Sequence, residues 1–177
     1  GRRRCKAEGL AGRIHFTVGD ACDTGLPTGS TDFVWGEDAW CYVIDKRRLV
    51  AEAARLVKPG GAIAFTDWII GPAGISDNEA QRFLGFMKLP NVLEPNEYVV
   101  MLCASGCEVV TAEDTGRFAP YTDLYLNMLD MQLTYDTLRI LGFDKPLMAA
   151  MRDEMSFMRD LAHAGKIAQG RFVARKS

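Results

Sequence analysis

Asp38 and Tyr42 stand four residues apart in the stretch Gly36-Glu37-Asp38-Ala39-Trp40-Cys41-Tyr42. If that stretch is helical, the two side chains share a face. A phenol with an ordinary pKa of ~10 is a poor base at neutral pH, but beside a carboxylate its hydroxyl could orient an amine or a carboxylate group. Gly36 and Glu37 end a short apolar run, which is where open α/β sheets bind ligands; the alternative is a plain strand-to-helix turn. Trp40 and Trp68 could cover an organic cation with their ring faces or could simply pack in the core. Asp67, at the end of another apolar run, poses the same choice. Arg117 and Arg171 could clamp an acceptor's carboxylate or could be surface charges.

Composition narrows the chemistry around these residues. With 177 residues, 48% hydrophobic and 25% charged, the chain has the makings of one globular domain spanning residues 1–177. A formal net charge of -2 gives no footprint for a nucleic-acid backbone, and Arg2-Arg3-Arg4 reads as a solvated end. No run approaches the ~20 apolar residues of a membrane span, and the start has no apolar signal core, so we expect no membrane partner and a cytoplasmic protein. Five cysteines without a C-x-x-C pair suggest mostly buried free thiols. Neither they nor the separated His15 and His163 have metal-ligand spacing, so no metal is expected.

The elements that must position the candidates follow from periodicity and punctuation. β-branched and aromatic residues predict strands over 13–18 and 32–35. Leu49, Val50, Ala53, Leu56 and Val57 recur at helical spacing behind Asp45 as N-cap, and Lys58-Pro59-Gly60-Gly61 stops that helix before a strand over 62–67. Two strands joined by such a helix make a parallel βαβ unit, hence a doubly wound α/β sheet. Further helices are predicted over 77–89, from Asn96 to about 105, over 121–140 and over 145–163. Strands are predicted over 108–113 and 167–175. Most of the eight methionines fall in the last two helices, as an adaptable core or ligand wall.

The series Gly19-Asp20-Ala21, Trp35-Gly36-Glu37-Asp38-Ala39 and Leu56-Val57-Lys58-Pro59-Gly60-Gly61, with the strand through Phe65-Thr66-Asp67, resembles the class I S-adenosylmethionine-dependent methyltransferases. Asp38-Ala39-Trp40-Cys41-Tyr42 with Asp45-Lys46, and the ending Ala164-Gly165-Lys166 with Phe172 and Arg175-Lys176-Ser177, look most like the sarcosine and dimethylglycine N-methyltransferases. The middle section is also similar to phosphoethanolamine methyltransferases. The resemblance implies a Rossmann-like class I methyltransferase sheet with a helical substrate-side insertion at about 121–163, before the last strand. It also implies a glycine-rich loop and two further strands that these 177 residues do not contain. The expectation is therefore an N-terminally truncated core whose exposed strand edges are paired anew or shared in a homodimer.

By the same resemblance the cofactor is S-adenosylmethionine and the partner a small-molecule amine. Asp20, the backbone of Ala21 and neighbouring Cys22 are expected to hold the adenine edge, with Gly36 and Glu37 along the methionine portion. Asp38 and Tyr42 match polar catalytic positions on the substrate side, the second usually histidine in relatives, so the tyrosine leaves proton transfer without its usual base. Trp40, Asp67, Trp68 and Arg117 are the expected substrate-binding residues. Two functions remain open: methyl transfer to a small amine such as sarcosine or dimethylglycine, or a non-catalytic remnant of the fold acting as an oligomeric or binding module.

Overall fold

In the computed structural model, residues 1–131, 139, 142 and 144–177 are described. The βαβ unit forms as the periodicity requires. Strand β1 (Thr31–Glu37) runs parallel to β2 (Val57–Ile70), and helix α2 (Lys46–Leu56) connects them. Asp45 caps α2 by accepting the Arg48 N–H at 2.9 Å, and the Leu49, Val50, Ala53 and Ala54 face is buried. The helix stops at Leu56 with an extended Val57, one residue before the expected signal. Lys58-Pro59-Gly60-Gly61 instead forms an irregularity at the start of β2, where Thr31 pairs with Val57 but Phe33 pairs with Ala62. Gly60 takes a φ of +77°, and a Cβ on Gly61 would lie 2.7 Å from the Asp32 carbonyl oxygen, so both glycines are needed where the strands converge.

The rest of the chain extends the sheet by antiparallel pairing. Strand β3 (Cys107–Asp114) pairs with β4 (Ile167–Lys176), which pairs with β2, giving the order β1-β2-β4-β3. Between β2 and β3 lie α3 (Asp77–Met87), started by a Ser76/Glu79 capping box, and α4 (Pro95–Ala104). The cap of α4 is Glu94 rather than Asn96. Pro95 takes the first helical position, where its fixed φ suits the turn and its missing N–H costs nothing. Between β3 and β4 lie α5 (Phe118–Met131) and α6 (Lys145–His163); beyond Met131 the predicted helix over 121–140 falls, apart from residue 139, outside the described residues.

Alternation sorts the strand side chains onto two faces. Ile63, Phe65 and Ile69 of β2 and Phe172 and Ala174 of β4 pack against Val50, Ala53, Tyr98 and Leu102 of α2 and α4. On the other face Trp68 and Ile167 meet Phe83, Phe118, Met158 and Leu161 of α3, α5 and α6. Each fully buried side chain of this size contributes about 1.5–3 kcal/mol over leaving it in water.

Three expectations are corrected. Residues 13–18 form no strand: Ile14, Phe16 and Val18 are 41%, 43% and 99% exposed, with no ladder partner, and only an isolated Asp20–Asp23 bridge follows. Residue type alone does not make a strand when the backbone groups have nothing to pair with. The basic start is a short helix, α1 (Arg2–Ala7), though without buried residues. Only Cys41 and Cys107 of the five thiols are buried, whereas Cys103 is exposed. β1 forms one edge of the described sheet and leaves Phe33 and Trp35 exposed. No helix among the described residues is long and apolar enough to cross a membrane.

Candidate active site

Glu37, Thr66, Arg171 and Glu113 stand in register across all four strands. Facing pairs in a sheet point to the same side, and all four line a cavity of about 900 Å³. Arg171 donates to the Glu113 carboxylate within that row. The next row brings Trp68 beside Gln169 on the same face.

Asp38 follows directly after β1 and is the most constrained residue of the site. Its φ of +45° lies in the left-handed region, which aspartate visits more readily than most side chains but which still carries strain. The conformation is held by its surroundings. The Asp38 N–H donates to Thr66 Oγ1 at 3.1 Å, and Asp38 Oδ1 accepts from the Thr66 hydroxyl at 2.9 Å. Oδ2 accepts from Gln169 Nε2 at 2.7 Å, and Gln169 Oε1 accepts from the Thr115 hydroxyl at 2.9 Å. That chain fixes the orientation of the Gln169 amide. Further lone pairs remain on the carboxylate for a ligand's N–H or O–H, since an ionised carboxylate has about four acceptor positions.

The expected shared helical face of Asp38 and Tyr42 is not how they meet. A turn of 3-10 helix, Trp40–Tyr42, follows Asp38, and both Asp38 and Tyr42 line the cavity, with Tyr42 61% exposed at its rim. Glu37, Trp68 and Arg117 also line it. Helices α5 and α6 close the far side: Tyr121, Tyr125 and Met128 repeat at helical spacing along one, Met151, Met155 and Met158 along the other.

Trp40, Asp67 and Gly36 lie elsewhere. Trp40 is buried, stacked on Phe65 with ring centroids 3.9 Å apart, and a Cβ on Gly36 would sit 2.3 Å from its Nε1. The Gly36 position therefore accommodates the tryptophan. Asp67 is fully buried on the α2/α4 face, where it accepts from the Tyr98 hydroxyl and from the Trp68 N–H at 2.9 Å. Burial raises its carboxyl above the usual range, and raises the Tyr98 hydroxyl as well. Lys46 Nζ lies 3.9 Å from Asp67 and donates to the carbonyls of Trp40 at 2.6 Å and Val43 at 2.9 Å, its ammonium lowered by burial. Below Asp38, the buried Cys41 thiol donates to the Asp38 carbonyl at 3.2 Å and is pushed up to about 11 by burial and by Asp67.

Asp20, Ala21 and Cys22 form a separate turn, and none of them lines the cavity. Asp20 Oδ1 accepts the Cys22 N–H at 2.8 Å, and the Cys22 thiol reaches the Asp45 carbonyl at 3.7 Å, tying the turn to the start of α2. Burial, then the Asp20 carboxylate, raise the Cys22 thiol. Sequence reasoning missed Thr66, Gln169 and Thr115. The alternation Ile167, Gln169, Arg171, Val173 against Ala168, Gly170, Phe172, Ala174 is the signal that puts Gln169 and Arg171 on one face.

The chemistry of two groups of residues is compatible with parts of S-adenosylmethionine. The Asp20 turn is preformed with an exposed carboxylate able to accept from an exocyclic amine. Glu37 and Asp38 place two carboxylates at the carboxyl end of a parallel strand, the charge that a sulfonium and an α-ammonium call for.

Residues 1–65 match the family described as "Methyltransferase domain". The dimethylglycine N-methyltransferase of Parasynechococcus marenigrum is 36% identical over 85 residues, 47% of this chain and 30% of that protein. A Galdieria sulphuraria structure assigned as a sarcosine dimethylglycine methyltransferase superposes with a TM-score of 0.85 at 22% identity, covering 99% of this chain and 64% of that one. Geranyl diphosphate C-methyltransferase from Streptomyces coelicolor, in complex with geranyl diphosphate and S-adenosyl-L-homocysteine, gives 0.79 at 16% identity, covering 100% and 58%. The chain spans between 21% and 40% of the length of four curated relatives that it matches. Residues 1–65 thus match the methyltransferase domain family in sequence, and over its whole length the chain has the fold of these methyltransferase structures.

Proposed function

We propose that the protein transfers a methyl group from S-adenosylmethionine to a small-molecule acceptor bound in the cavity at the carboxyl ends of β1 and β2. The observation that carries this reading is Asp38, held in a left-handed conformation by Thr66 and Gln169 at the polar end of that cavity. When bound, the cofactor supplies an electrophilic methyl group; the protein's task is to hold the acceptor's lone pair in line with it. Asp38 accepts a hydrogen bond from the acceptor's N–H or O–H and so orients the attacking atom. Tyr42 offers a second hydroxyl at the rim, and Trp68 and Phe118 displace water around the reacting atoms. No strong base is required for an acceptor that arrives with a free lone pair.

An amine acceptor, attacking as the neutral amine, is supported by the dimethylglycine-methylating relative and by the Asp38 carboxylate and Trp68 ring that line one cavity. The test is calorimetric titration of the protein with S-adenosylmethionine, followed by transfer of radiolabelled methyl to an acceptor panel. Micromolar binding and transfer abolished in Asp38→Asn support the reading. Absence of binding at millimolar cofactor would sink it in favour of a non-catalytic module.

A further inference from the structure

Resting on the methyltransferase reading, we propose that the acceptor is an amphiphile, with an extended apolar ring or chain body and one hydroxyl or amine that meets Asp38, rather than a compact zwitterion such as sarcosine. The cavity's size points this way first. At about 900 Å³ it lies near the top of the range of ~300–1,000 Å³ that holds drug-sized ligands. The methionine end of the cofactor takes part of that space, and an amino acid of a handful of heavy atoms beside it would still leave the rings and thioethers of α5 and α6 to water.

The lining points the same way. Tyr121, Tyr125 and Met128 on α5 face the cavity together with Met151, Met155 and Met158 on α6. Tyr121, Tyr125 and Met128 are 50%, 59% and 40% exposed, large side chains that a bound apolar body would cover. Methionine on the facing helix suits an irregular hydrocarbon, because its unbranched thioether adapts to the shape it meets.

Charge argues against a free carboxylate on the acceptor. Among the described lining residues Glu37, Asp38, Glu113 and Asp114 stand against Arg117 and Arg171, and Arg171 is paired with Glu113. The polar end therefore favours a hydrogen-bond donor. With each oxygen of Asp38 already accepting one bond, from Thr66 and from Gln169, the lone pairs left there take an acceptor's N–H or O–H and repel a carboxylate.

The experiment measures binding by calorimetry, at saturating S-adenosylhomocysteine, of a series of 4-alkylphenols from ethyl to octyl, of octylamine, and of sarcosine and dimethylglycine. Each methylene moved from water into an apolar wall tightens binding by up to about fourfold, so the dissociation constant should fall at least tenfold along the phenol series. Met155→Asp should remove most of that gain. Tyr125→Ser, at a position 59% exposed, should reduce it several-fold, and Phe33→Ser, on the exposed edge of β1, should leave it intact. Affinity that stays flat with chain length, or sarcosine binding more tightly than octylphenol, overturns the proposal. So does a gain that Phe33→Ser destroys while Met155→Asp and Tyr125→Ser keep it. Methyl transfer, assayed in parallel, separates the two claims: chain-length-dependent binding with no transfer to any acceptor counts against the methyltransferase reading alone, and transfer to sarcosine with flat binding counts against the amphiphile alone.

Discussion

Gln169 Nε2 donates to Asp38 Oδ2 at 2.7 Å, joining the last strand to the loop after β1 across 131 residues of sequence. The same amide's oxygen accepts from Thr115, so Gln169 can neither rotate nor flip without losing both bonds. Gln169→Leu takes one partner from the Asp38 carboxylate, which keeps Thr66, and one from the Thr115 hydroxyl, which keeps the Arg117 N–H. A lost hydrogen bond costs on the order of 0.5–1.5 kcal/mol, which should appear as a melting temperature lower by a few degrees. Methyl transfer should fall about 10–100-fold, since the carboxylate loses its fixed direction. Gln169→Glu makes the sharper test. It sets a second carboxylate against Asp38, raising the pKa of one of them, so its deficit relative to wild type should shrink between pH 7 and pH 4.5. A Glu variant with the same deficit at both pH values would show that the two groups do not interact.

Sequence pattern located much of this architecture, and the reasons for the failures are physical. The βαβ unit was legible because its helix face, cap and parallel strands are all local in sequence. The left-handed backbone of Asp38 was not, because it is imposed by Thr66 and Gln169 from two other strands. Trp40 and Asp67 show the same limit. Each stands near a strand end as a ligand-binding residue would, and only the packing of Phe65 and Tyr98 reveals that both point into the core. Residues 13–18 have strand composition without a strand's neighbour.

Gly36→Ala follows from the Trp40 packing. A methyl group there would meet Trp40 Nε1 at 2.3 Å and force the ring off its stack on Phe65. Overpacking of this kind costs about 1–3 kcal/mol. Because the displaced ring belongs to the turn that carries Tyr42, we expect weakened acceptor binding alongside the stability loss, read by acceptor titration at a temperature where the variant is still folded. A variant as stable as wild type would show that the turn moves freely.

Tyr98→Phe tests the buried Asp67. The tyrosine hydroxyl stabilises the ionised carboxylate, whose pKa burial has already raised, and removing it raises that pKa further. A carboxyl with a raised folded-state pKa contributes stability below its unfolded value and loses it as pH rises through the folded value. The variant should therefore be less stable by about 1–3 kcal/mol at pH 7, with a smaller deficit near pH 4, by denaturant titration at each pH. An equal loss at both would mean that Asp67 keeps its proton throughout the range.

Glu52 has the opposite sign. Its carboxylate accepts from the Thr24 N–H at 2.9 Å, the Thr24 hydroxyl at 2.6 Å and two Arg55 nitrogens at 2.7 Å each, holding the loop before β1 against α2. Arg55 first, then Thr24, bring its pKa down to about 2. A depressed folded-state pKa gives stability that is present above the unfolded value of about 4.5 and disappears as pH falls towards about 2. Wild type should therefore lose stability over that acid window. Glu52→Gln should start less stable at pH 7 and fall less steeply, because an amide accepts fewer of these bonds and does not titrate. If both proteins have the same slope between pH 4.5 and pH 2.5, acid unfolding is governed elsewhere. If the variant is also as stable as wild type at pH 7, the loop before β1 is held by contacts other than the Thr24–Glu52–Arg55 network.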